Sequence, residues 1–200
     1  MMITRFSVVV LLLCLFACNG KSDYVNSVEQ EHVRRQAVFM NPEQSPLDTA
    51  ELRIFKGLQF FPVNETFRTE ALITWLPQVH YLNMPQTGGD VVPYMQTAVI
   101  DFAIEGKQFQ LPAYQTEEMK RRHLLFIPYT DLTNGKETYN GGRYIDLPYV
   151  DTRREVMLDF NLGYIPYCAH TPRYSCPVVP RENNLNIAVM AGERLAGTHP

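Results

Sequence analysis

The sequence predicts a mainly β protein: a single-domain antiparallel sandwich or partly open barrel with one N-terminal helix. After Phe55 the chain is a succession of short runs rich in aromatic and β-branched residues, separated by Gly, Asn and Pro, the pattern of half-buried strands with tight connections. Helical spacing of apolar residues is convincing only over residues 22–40. A chain of 200 residues holds one domain with a real core even after a leader is removed.

The leader is read as residues 1–17. Arg5 supplies positive charge, Phe6 to Phe16 an apolar core, and Ala17 a small residue before Cys18. That core is too short to span a bilayer, which takes about 20 apolar residues. Leu15-Phe16-Ala17-Cys18 resembles a lipobox, in which a peptidase cuts before a cysteine that already carries lipid. Phe16 is bulkier than the usual occupant of its position, and the alternative is ordinary cleavage after Gly20. Lipid on Cys18 would bring two acyl chains, the number that stable anchoring takes, and leave residues 18–21 as a tether. The expected partner is then a membrane and the expected location the cell envelope. An outer membrane is included, because Asn19 is not the aspartate that often signals inner-membrane retention.

In residues 22–40, Ser22 or Asp23 can cap a helix whose Val25, Val28, His32 and Phe39 fall near one face, with Asn41-Pro42 as its stop. Glu31 and Arg35 sit at i,i+4 spacing and read as a surface pair. A second short helix can begin at Ser45 or Asp48 and end before Phe55. Strands are expected at Leu58 to Val63, Thr66 to Trp75, Thr97 to Ile104, Gln108 to Tyr114, Leu124 to Tyr129, Arg143 to Leu147, Glu155 to Phe160 and Leu185 to Met190. Asn64-Glu65 and Glu105-Gly106-Lys107 supply turns between them. Pro112 and Pro128 cannot donate to a ladder, so their strands should be edges or carry bulges.

The net charge of −3 and the interspersed charges exclude a nucleic-acid surface. The one basic cluster, Lys120-Arg121-Arg122, reads as the solvated start of a strand. No Walker loop, Gly-x-Ser-x-Gly elbow or His-Glu-x-x-His helix occurs, and no cofactor is implied.

The unusual residues gather from Thr133 to Glu193. They form Asn134-Gly135-Lys136-Glu137-Thr138-Tyr139, Gly141-Gly142-Arg143-Tyr144, Asp159-Phe160-Asn161, a Cys168 to Pro177 stretch ending Tyr-Ser-Cys-Pro, and Ala191-Gly192-Glu193. These stretches, with Asn41-Pro42-Glu43-Gln44-Ser45-Pro46-Leu47 and Phe55-Lys56-Gly57-Leu58 upstream, resemble the family catalogued as domain of unknown function 1684. The resemblance covers nearly all of the chain after the leader. The chain departs from the family pattern at Ile165, where asparagine is usual, and at His170, where an aromatic is commoner. The family brings no activity with it.

Cys168 and Cys176 can close a disulfide worth about 2 to 3 kcal/mol in an oxidising compartment, or pack as two inert thiols. With His170 they offer three zinc ligands, but the spacing matches no zinc module and no fourth ligand is apparent, so no metal is expected. A cysteine nucleophile with His170 as base is a further alternative. Arg143 and Asp159 both interrupt apolar strand patterns, where an unpaired charge is costly, and are expected to meet. They form either a structural ion pair or, with Tyr139, Asn161 and Glu193, a pocket for an anion. Two functions follow: a ligand-binding or interaction module at the membrane surface, or a hydrolase-like enzyme using Arg143, Asp159, Glu193 and the Cys168 to Cys176 loop.

Overall fold

The computed structural model describes residues 22–196. The leader, Cys18 and the tether lie outside the described residues. Helix α1 (Asp23–Met40) starts where the sequence places it, with the Ser22 hydroxyl accepting from the Val25 amide at 3.3 Å. Tyr24, Val28, His32, Arg35 and Phe39 recur at helical spacing and turn toward the body of the protein. Asn41 and Pro42 end the helix, and the Ser45 hydroxyl donates to the Phe39 carbonyl at 2.6 Å. Helix α2 (Thr49–Ile54) is six residues long and is closed by a reciprocal capping box between Asp48 and Glu51.

The described residues then form eight strands: β1 (Gln59–Phe60), β2 (Arg68–Pro85), β3 (Val91–Ile104), β4 (Lys107–Gln115), β5 (Leu124–Tyr129), β6 (Arg143–Pro148), β7 (Glu155–Asp159) and β8 (Glu193–Arg194). A six-stranded antiparallel sheet runs β6-β5-β4-β3-β2-β7 and curls into a nearly closed, barrel-like form. The chain leaving β7 completes the curl, because Tyr164 exchanges two 2.9 Å backbone hydrogen bonds with Tyr144 of β6. β1 and β8 form a separate two-stranded ribbon. Ile73, Ile100, Leu111, Leu125, Ile127 and Phe160 fill the main core with no exposure.

Several sequence expectations change. β2 runs ten residues past Trp75, the expected end, because a bulge between Trp75 and His80 absorbs Pro77, which has no amide to give. The Leu58 to Val63 run keeps only Gln59 and Phe60 as strand. Leu185 to Met190 is no strand, since its carbonyls serve other partners, as described below. Lys120-Arg121-Arg122 ends a short helix α3 (Glu117–Arg121), whose acidic first turn and basic last turn suit the helix dipole.

The Glu105-Gly106 turn has positive φ at both residues, 51° and 75°, as the tight link between β3 and β4 requires. Pro112 and Pro128 do not lie on edge strands. Instead β4 and β5 share a single ladder pair, Tyr114 with Phe126, and then part. The Asn183 side-chain amide fills the gap, donating to the Pro112 carbonyl at 2.9 Å and the Pro128 carbonyl at 2.7 Å.

Candidate functional site

Arg143 is wholly buried at the start of β6 and does not meet Asp159. Its Nη2 donates to Asp131 Oδ2 and to the Val189 carbonyl, both at 2.8 Å, and its Nη1 to the carbonyls of Ala191 and Glu193. Asp131 is held in turn by the Thr133 amide at 2.8 Å and hydroxyl at 2.6 Å. Gly142, at φ 94°, makes the bend that delivers Arg143; a Cβ there would stand 2.6 Å from the Tyr129 carbonyl. Both terminal nitrogens of the fork are engaged, by Asp131 and three carbonyls, and the buried Nε has no partner among the described residues, so the expected anion pocket of Arg143 with Asp159 is not built, and the hydrolase site on that pair falls with it. Sequence reading missed Asp131 because an aspartate next to an Asn-Gly turn signal is read as turn chemistry.

Asp159 and Asn161 belong to a second place, the seam under α1. Asp159 Oδ1 caps the turn of 3-10 helix at Phe160–Leu162 by accepting from the Asn161 amide at 2.9 Å, while Oδ2 accepts from the Tyr24 hydroxyl at 2.9 Å. The Asn161 side chain binds the Asn64 amide and carbonyl, each at 2.9 Å, and its main-chain carbonyl accepts from His32 Nε2 at 2.8 Å. Burial holds the His32 imidazole below its ordinary pKa, consistent with a neutral ring stacked on Phe60 at 3.8 Å. The Asp-Phe-Asn motif therefore fastens the helix.

Cys168 and Cys176 are free thiols, so the expected disulfide is absent from the structure. They are neighbours: the Cys168 amide donates to Cys176 Sγ at 3.3 Å. Burial, reinforced by the adjacent Cys168 thiol, pushes Cys176 up to about 12, which makes it a poor nucleophile at neutral pH. Tyr139 packs with this pair rather than with Arg143. Its hydroxyl is shifted upward by burial first and by Cys168 next. Among the described residues, no three His, Cys, Asp or Glu side chains converge on a metal position.

Glu193 is the expected pocket residue that contacts the lining of a cleft, through His170 and Ile165. Fully buried in β8, it accepts from Arg35 Nε at 2.8 Å and the Ile165 amide at 3.1 Å through Oε2. Arg35 also donates to the Ile165 carbonyl at 2.8 Å and stacks over Tyr164, 4.6 Å from the ring centre. Arg35 is thus not the surface partner of Glu31, which pairs with Arg34 instead. The helical face predicts this, since Arg35 lies one turn from His32 and Phe39 on the inward side.

Glu193 Oε1 lies 3.0 Å from His170 Nε2 but misaligned for a hydrogen bond, and neither atom has another polar partner among the described residues. The Nε of Arg194 is likewise buried and unpartnered. Buried polar atoms are nearly always satisfied, so the unpartnered Arg194 Nε and the misaligned His170–Glu193 contact are exceptions that call for a reason. His170 and Arg194 line a cleft of about 530 Å³ between α2, the Gly57 segment and the Cys168 loop. Leu47, Phe55, Leu58 and Ile165 supply its apolar walls, and Lys56 stands at it as well. Ile165 and His170, where the chain departs from the pattern it otherwise follows, are both in this lining. His170 read as an exposed loop residue from sequence; only the fold brings it to Glu193.

The family model described as a protein of unknown function, DUF1684, matches residues 53–194. Among solved structures, the NMR solution structure of an uncharacterised protein of Haloarcula marismortui is 32% identical, covering 88% of this chain and 97% of that one with a TM-score of 0.67. A search of curated proteins found no match.

Proposed function

Because the chain belongs to the DUF1684 family, whose description names no activity, we propose from the site itself that it is a non-catalytic ligand-binding module held at a membrane surface by lipid on Cys18. The observation that carries the reading is the cleft beside His170 and Arg194, an apolar-walled cavity of about 530 Å³ with unpartnered buried polar atoms at its wall. Its size falls within the range of small-molecule sites, roughly 300 to 1,000 Å³, and apolar walls with a few convergent polar groups are what such sites present. No serine, threonine or cysteine is among its described lining residues, which favours holding a ligand over attacking one.

Lipid on Cys18 would place the domain close to the bilayer. Three residues separate Cys18 from Ser22, and the four Cα–Cα steps between them reach at most about 14 Å. The leader and Cys18 support a location in the cell envelope.

The test uses the full chain in lipid nanodiscs, compared with Ala169→Trp, which places an indole in the cleft. Compounds from a small-molecule library that raise the Tm of the parent protein should leave the Tm of the variant unchanged. Ligands that stabilise both proteins equally, or that are consumed by the parent protein, would overturn the reading.

A further inference from the structure

We infer that the cleft selects an anionic amphiphile, a carboxylate with an apolar tail. This rests on the cleft being a ligand site at all. The charge around it is one-sided. Arg35, Lys56, Arg173 and Arg194 stand at or behind the lining, against the carboxylates of Glu51 and Glu193.

Both carboxylates are already committed. Glu51 accepts from the Asp48 amide at 2.8 Å and faces Arg173 at 3.6 Å, and Glu193 is neutralised by Arg35 at 2.8 Å. The charged groups at the cleft without an ion pair among the described residues are cations. Lys56 is exposed and has no ion pair with another described residue, and Arg194 Nε is buried without an acceptor. His170 lines the cleft as well, with its Nε2 facing Glu193 Oε1 at 3.0 Å.

A carboxylate suits that set, because its two oxygens can accept from the Arg194 guanidinium and the Lys56 ammonium together. A cationic head would meet Lys56 and Arg194 with like charge. A neutral alcohol would leave at least one donor without an acceptor. The tail lies where Leu47, Ile54, Phe55 and Leu58 form a continuous apolar wall.

The experiment compares octanoate, octanol and octylammonium, which share a tail and differ in head, on the full chain in lipid nanodiscs. Calorimetry measures affinity, and methyl NMR of Ile54, Leu58 and Ile165 reports whether binding is in the cleft. Octanoate should bind about tenfold tighter than octanol, and octylammonium weakest, with one charge-assisted hydrogen bond setting that factor. Lys56→Gln and Arg194→Gln should each reduce the octanoate preference, and Lys56→Gln, at an exposed position, tests it without risk to folding.

Equal affinity for all three probes, or preference for octanol or octylammonium, overturns the head-group assignment and leaves the cleft as a site. Absence of methyl shifts with every probe overturns both the assignment and the ligand-site reading. Octanoate binding that neither substitution weakens overturns the assignment.

Discussion

Arg35 of α1 and Glu193 of β8, 158 positions apart, meet at 2.8 Å over a fully buried carboxylate. The same arginine donates to the Ile165 carbonyl, so one side chain ties the helix, the C-terminal ribbon and the wall of the cleft together. The helix therefore braces the cleft wall from behind.

Arg35→Ala should cost about 3 kcal/mol, because it leaves a buried carboxylate with the Ile165 amide as its one aligned donor and His170 Nε2 out of line at 3.0 Å. Urea unfolding at pH 7 measures it. A loss below about 1 kcal/mol, the size of an exposed pair, would show that the contact is not sustained in solution.

The buried pair elsewhere is Arg143 with Asp131. Asp131→Ala should destabilise by about 3 to 5 kcal/mol, leaving Arg143 wholly buried without its counter-ion. Asp159→Asn keeps an acceptor for Tyr24 and should cost about 1 kcal/mol. A double-mutant cycle should give strong coupling between Arg143 and Asp131 and none between Arg143 and Asp159. Coupling in the second pair would restore the contact that the strand patterns alone predict.

How much of this was legible in the sequence depends on the range of the interaction. The α1 cap at Ser22, the Asp48 capping box, the Glu105-Gly106 hairpin and the Leu124–Tyr129 strand rest on residues a few positions apart, and periodicity finds them. Reading Arg143 as a residue in need of a counter-charge was sound physics with the wrong partner. Burial dictates that a partner exists, whereas topology decides which carboxylate arrives. Of the five expected pocket residues, the fold divides Arg143, Asp159 with Asn161, Tyr139 and Glu193 among four surroundings. Only Glu193 contacts residues that line the cleft, His170 and Ile165. Its partner His170 carried no local signal, because a histidine in a proline-rich loop looks the same whether it faces solvent or a buried glutamate.

Cys176 gives a pH dependence whose sign is fixed. Its folded pKa is raised from 9.0 to about 12, so the protonated thiol is favoured in the folded state. The stability this contributes is complete below pH 9 and is lost as pH rises toward 12. Cys176→Ala should therefore flatten the fall in Tm across that alkaline interval. Iodoacetamide should modify Cys176 in the folded protein slowly at pH 8, and modification as fast as in the urea-unfolded chain would contradict the burial that causes the shift.

Cys18→Ser tests the anchor. The parent protein should sediment with membranes and the variant should not. Mass spectrometry should find a diacylated cysteine at the mature N terminus, and a mature chain beginning at Lys21 would mean ordinary export without lipid.

The cleft is tested most directly by an experimental structure of the full chain isolated from its own membranes, with whatever it retains still bound. Density for a small molecule within hydrogen-bond reach of His170 Nε2 and Arg194 Nε, its tail along Leu47 and Leu58, is the predicted result. A cleft collapsed onto itself, with His170 turned into line with Glu193 Oε1 and Arg194 Nε bonded to the protein, would contradict it.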